Sequence, residues 1–167
     1  MSNKLTSIRH SRRDDSGLTL VELMVVVVII GILATIAIPN LMEAQDKAKN
    51  TTVVAAAHAL VSNIQISAVD TGGLIPESGY EIDELGSTRK LLNPFTKEQV
   101  DLIDGIVDPD QDFPGTLGYE PNVTLVRPFR SGIDTEPEVE PMIGGFVVTG
   151  LGIVRGEPAI VVALDNG

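Results

Sequence analysis

Glu22 is the residue of this chain whose setting most needs explaining. It sits one turn into Gly17–Leu41, GLTLVELMVVVVIIGILATIAIPNL, and no charged residue follows it from Leu23 to Met42. A lone carboxylate in hydrocarbon costs several kcal/mol, so an acid in such a run is a functional candidate by default, one that needs a cationic or hydrogen-bonding partner. Asp108, Asp110 and Asp112 form a second candidate, because alternating carboxylates open calcium loops, where a hard cation draws several oxygens from a short segment. The EF-hand pattern then fails: Phe113 follows Asp112 where Gly is needed, and Tyr119 stands twelfth in place of Glu. A solvated acidic turn is the expectation there, with calcium as the alternative. Glu136, Glu138 and Glu140 alternate beside Pro137 and Pro141 and read as a solvated extended segment. His10 and His58 have no Ser or Cys partner in any catalytic spacing. No GxSxG, HExxH or Walker pattern occurs, and Gly150-Leu151-Gly152 reads as turn chemistry. No enzyme and no cofactor are expected.

The element that must position Glu22 is a membrane helix. At about 1.5 Å per residue, residues 18–38 span roughly the 30 Å hydrocarbon core. Backbone amides in lipid must be satisfied within the segment, which selects helix despite the run of Val and Ile. A buried Glu22 needs a partner, and the next cation, Lys47, lies about 37 Å further along at helical rise. The partner therefore comes from another chain or from the chain's own terminus. The bland alternative is a Glu that snorkels to the interface.

Charge and composition narrow the class. The chain has 167 residues, no cysteine and a net charge of −11. Four cations (Lys4, Arg9, Arg12, Arg13) against Asp14 and Asp15 make the first 17 residues +2, which leaves −13 for the remainder. So acidic a head repels phosphate backbones, and bulk nucleic-acid binding is not expected. The basic flank keeps the N-terminal side cytoplasmic and places the head across the membrane. A secretory signal fits poorly, because the apolar run is long and no small-x-small cleavage site follows it.

The residues Arg12-Arg13-Asp14-Asp15-Ser16-Gly17, then Leu18-Thr19-Leu20-Val21-Glu22, the apolar run and Pro39 resemble the class III signal of type IV prepilins and of the pseudopilins of type II secretion systems. The resemblance covers about the first third of the chain. It implies that a membrane prepilin peptidase cuts between Gly17 and Leu18 on the cytoplasmic side and methylates the Leu18 nitrogen, although the family usually carries Phe there. Counted from Leu18, Glu22 and Pro39 fall where the family places its Glu and its helix-kinking Pro. In such filaments the Glu is attributed to pairing with the terminal amine of a neighbouring subunit, which would set register in assembly. The resemblance further implies a homo-oligomer with other pilins or pseudopilins, an assembly platform with its ATPase, and a single-pass precursor in the cytoplasmic membrane that later enters a pilus or pseudopilus. Major pseudopilins can bind calcium through C-terminal loops. The alternative from the residues alone is a membrane-anchored, exported binding module that does not polymerise.

The expected fold is α+β: a leader at 1–17, a transmembrane and assembly helix at 18–39, an amphipathic helix at 40–72, a variable loop region at 73–115 and a small antiparallel β-sheet at 116–167, packed on the helix. The helix is expected to kink or loosen between Gly31 and Pro39, since Pro removes a donor and clashes with the preceding turn. Leu41, Ala44, Ala48, Ala55, Leu60, Ile64 and Ala68 are the expected core stripe, with His58 partly buried and Gly72-Gly73 as the stop. A short helix is expected near 96–103, strands at 116–120, 123–127, 143–149 and 159–164, and turns at Pro121-Asn122 and at Gly150, Gly152 and Gly156.

Overall fold

A computed structural model describes residues 18–78 and 91–166. The expected leader, with His10 and Gly17, lies outside the described residues, as does 79–90 of the expected loop region. Helix α1 runs Leu20–Asp70, followed by β1 (Leu102–Asp104), β2 (Leu117–Leu125), β3 (Val139–Val154) and β4 (Glu157–Asp165). The chain divides into two compact units, the first ending at Pro39 and the second beginning at Asn40.

In the first unit the helix is continuous through Gly31 and Pro39. Every Leu, Val, Ile and Met from Leu18 to Ile38 is at least 48% exposed. A surface this apolar is one that lipid or neighbouring chains must cover. Among the described residues α1 is the one helix long and apolar enough to cross a membrane.

The second unit is a helix on a four-stranded sheet in the order β1-β2-β3-β4. The sheet is antiparallel across β2, β3 and β4, and β1 adds a three-residue parallel edge (Leu102↔Leu117) that makes it mixed. Val53, Ala56, Ala57, Leu60, Val61 and Ile64 form the buried helix face. They pack on Leu117, Tyr119, Phe146, Val148 and Val162. Tyr119 is fully buried, lies 5.8 Å from the Phe146 ring, and donates its hydroxyl to Pro76 O at 2.7 Å. The expected stripe is corrected here. Leu60 and Ile64 are core, but Leu41, Ala44, Ala48 and Ala55 are exposed, and His58 is exposed rather than partly buried. The alanines recur at helical spacing, but the buried face runs through Val53 and Ala57 and leaves Ala55 and His58 outside it.

The helix stops as expected. Gly73 N–H donates to Ala68 O at 2.7 Å and Gly72 N–H to Val69 O at 3.3 Å, with Gly72 at φ +77°, the paired bonds of a Schellman stop. No helix forms near 96–103. The buried Asn93 side chain accepts the N–H groups of Phe95 (2.8 Å) and Thr96 (3.3 Å) and donates to Pro114 O (3.0 Å). The turn it caps leads into β1, because an Asx side chain competes with the helix for those amides.

Strand boundaries also differ from expectation. The stretches expected at 116–120 and 123–127 are one strand, β2, bulged at Asn122 (φ +60°) rather than broken by a turn. Gly150 and Gly152 lie inside β3, and only Gly156 is a turn residue. A Cβ on Gly150 would lie 2.8 Å from Val53, and one on Gly152 would strike the Asn50 amide. These glycines let the helix approach the strand. Arg155 (φ +55°) and Gly156 (φ +87°) make a two-residue turn of the I′ kind between β3 and β4.

Candidate functional site

Glu22 is the third residue of α1, and Thr19 is its N-cap. The Thr19 N–H donates to Glu22 Oε2 at 2.9 Å and the Thr19 hydroxyl donates to the same oxygen at 2.9 Å. In return the Glu22 N–H donates to Thr19 Oγ1 at 3.2 Å. This reciprocal arrangement is a capping box, and the spacing Thr19-Leu20-Val21-Glu22 was its signal in the sequence. It stands beside the expectation of a partner from another chain or from the chain's own terminus and supplies hydrogen bonds, not a cation. Leu18, which precedes the cap, is 77% exposed. Lys47 pairs instead with Glu43 at 2.7 Å, and that contact holds the Glu43 carboxyl below its ordinary range.

The three aspartates of the acidic turn do come together, but through bonds to their own loop. Asp112 Oδ2 accepts the Asp108 N–H at 2.7 Å, Asp108 Oδ1 accepts the Asp110 N–H at 2.9 Å, and Gln111 Nε2 donates to Asp108 Oδ2 at 2.6 Å. Among the described residues no group of three or more His, Cys, Asp or Glu is arranged to hold a metal.

Three clasps that position the head were not expected from sequence. Asn50, on the helix, donates to Ile153 O at 2.6 Å and accepts the Ile153 N–H at 2.9 Å, serving β3 as an extra strand would. A polar, weakly helix-forming Asn between Lys49 and Thr51 was a faint signal. Asp165 accepts the Leu125 N–H (3.1 Å) and the Thr124 hydroxyl (2.8 Å), while Asn166 accepts the Phe146 N–H (3.0 Å) and donates to Gly144 O (3.1 Å). They bridge the stretch where β3 swings away from β2 at Met142–Gly145. Asp134, with its side chain 7% exposed, takes bonds from Arg130 (3.0 Å) and Arg127 (2.9 Å). Those guanidinium bonds, Arg130 first, hold its carboxyl well below the usual carboxylate range. Opposite charges at 127, 130 and 134 suit many loops, so spacing alone did not single them out.

Comparison with known proteins bears on the N-terminal site and the head alike. The model of the prokaryotic N-terminal methylation motif matches residues 12–38. The type II secretion system core protein G of Klebsiella michiganensis is 32% identical over 60% of this chain and 92% of its own length. That of Pseudomonas aeruginosa is 42% identical over 54% of this chain and 82% of its own. The type IV narrow pilus major component of Thermus thermophilus is 43% identical over 35% of this chain and 50% of its own. No solved structure matches. The motif and the exposed apolar helix fit a membrane-anchored precursor that is processed by a prepilin peptidase and built into a filament with other pilins. The chain belongs to the prepilin and pseudopilin family of the type II secretion core protein G, and is a structural subunit of a filament.

Proposed function

We propose that the filament is a secretion pseudopilus and that this chain is its pilin-like building block, with no catalytic role. The observation that carries this reading is coverage. Four core protein G relatives match over 82–92% of their own length and two over 37–41%, whereas the two pilus components match over 33–50% of theirs. Maturation is cleavage between Gly17 and Leu18 with methylation of the Leu18 nitrogen. Glu22 then pairs with the freed amine of an adjoining subunit, because a carboxylate kept in an apolar layer needs a cationic partner. Gly31 and Pro39 supply the give in the helix during packing: the missing Pro39 N–H leaves the Thr35 carbonyl without its helical donor, and the Thr35 hydroxyl is itself spent on Ile32 O at 2.7 Å. Energy for extraction from the membrane comes from a partner ATPase and assembly platform. Mass spectrometry of membrane-derived protein tests the reading. A mature chain starting at a methylated Leu18, together with loss of protein secretion on deletion of the gene, is the expected result. An intact leader in a cell with active prepilin peptidase would reduce the chain to an anchored module.

A further inference from the structure

We infer that Asn166 is a site of spontaneous deamidation: its side chain cyclises onto the Gly167 nitrogen and loses ammonia, at a rate restrained by the clasp it makes on β3. Asn166 is followed by Gly167. Glycine has no Cβ to hinder the approach of its backbone nitrogen to the side-chain carbonyl before it. In the reaction the Gly167 nitrogen bonds to Asn166 Cγ and the Cγ–Nδ2 bond breaks. The departing nitrogen takes the Gly167 amide proton and leaves as ammonia. Water then opens the succinimide at one or other carbonyl, giving aspartate or isoaspartate. No enzyme, oxidant or cofactor is required.

The fold adds a restraint to this chemistry. Asn166 Oδ1 accepts the Phe146 N–H at 3.0 Å, and Asn166 Nδ2 donates to Gly144 O at 3.1 Å. These partners fix which end of the amide is which, since an N–H only donates and a carbonyl only accepts. Ring closure draws the amide carbon onto the backbone nitrogen that follows it, so a side chain bonded across to β3 must first let go. Reaction therefore proceeds from molecules whose seam at Met142–Gly145 has opened locally. The product cannot fully close it again. An ionised carboxylate is acceptor-only, so the new aspartate can still take the Phe146 N–H but sets an oxygen against Gly144 O with no proton between them. Isoaspartate moves the carboxylate further, because its backbone gains a methylene. The neighbouring clasp of Asp165 on Thr124 and Leu125 keeps all its groups, so the damage is confined to one half of the seam and accumulates with the age of the subunit.

The full chain in detergent is incubated at mildly alkaline pH, both folded and in urea. The C-terminal peptide is followed by mass spectrometry, with isoaspartate detected by enzymatic methylation of its carboxyl. Deamidation of Asn166 is expected in both samples, slower in the folded chain by about tenfold or more, the scale of two net hydrogen bonds. Equal rates would overturn the restraint, and an unreactive Asn166 in urea would overturn the site itself. Gly167→Ala should slow the reaction in urea severalfold; an unchanged rate would mean that the Gly167 nitrogen is not the nucleophile. Asn166→Asp reproduces one product. Its Phe146 amide should exchange hydrogen faster than the parent's, while the Leu125 amide, held by Asp165, keeps the parental rate. Parental exchange at Phe146, or faster exchange at both amides, would overturn the confined loosening of the seam.

Discussion

Between Leu18 and Pro39 the helix buries none of its large apolar side chains, whereas from Val53 to Ile64 it buries six residues against the sheet. Both stretches are rich in Val, Ile, Leu and Ala, and the second interleaves His58, Ser62 and Asn63 with them. The difference lies in what covers them. In the head, Gly150 and Gly152 bring a strand against the helix, and Asn50 pins it there. Among the described residues of its own unit the first stretch has no partner, and its apolar surface is to be covered by lipid or by other copies. One stretch of helix is therefore finished by folding and the other by assembly. Stability and polymerisation should respond to different substitutions.

The contrast is tested most severely by a crossed pair of variants. Glu22→Ala should abolish filament formation or secretion while membrane insertion and the head's thermal transition in detergent stay unchanged; a shifted transition would mean the two regions are not separable. Leu60→Ala should do the reverse. Emptying a fully buried leucine site costs about 2–5 kcal/mol, read as a lower melting temperature with insertion intact. Asn50→Ala comes next, because it strands two backbone groups of Ile153, and a loss of about 1–3 kcal/mol is expected by chemical denaturation.

Asp134 sharpens the comparison through pH. Its folded carboxyl is held below its ordinary value, so its contribution to stability is complete above about pH 4 and declines as pH falls toward the folded value. Acid titration of the full chain in detergent should show the parent losing stability below pH 4 more steeply than Asp134→Asn. Parallel curves would remove the Arg127–Asp134–Arg130 cluster as the cause. The smallest effect belongs to Arg155, whose left-handed backbone suits asparagine better. Arg155→Asn should raise stability by about 1 kcal/mol or less, seen as a small rise in denaturant midpoint.

What could be read from sequence follows from which interactions are local. The α1 helix, its Gly72-Gly73 stop and the uncovered apolar run depend on neighbours in the chain, and composition and spacing disclose them. Glu22 was visible for the same reason, and its Thr19 partner, three residues away, could have been. The strands around Ile143–Thr149 and Ala159–Leu164 were found because they alternate or are uniformly apolar. Gly150 and Gly152 misled because a glycine that admits a helix looks the same in sequence as one that turns the chain. Asn93 takes the Phe95 and Thr96 amides that a helix would need and is itself held by a bond to Pro114, 21 residues away, while Asn50 grips Ile153 from 103 residues away. No periodicity records such pairings.

The gap between β2 and β3 at Met142–Gly145 is closed by the side chains of Asp165 and Asn166. A polypeptide emerging from its ribosome or translocation pore delivers these two residues after every other part of the sheet. Until they arrive, the amides of Leu125 and Phe146 lack their native acceptors, so these bonds cannot form while only β1, β2 and β3 have emerged. Truncation after Leu164 should therefore leave a sheet that is present but unfastened along one seam, with Leu125 and Phe146 the amides that exchange their hydrogens fastest.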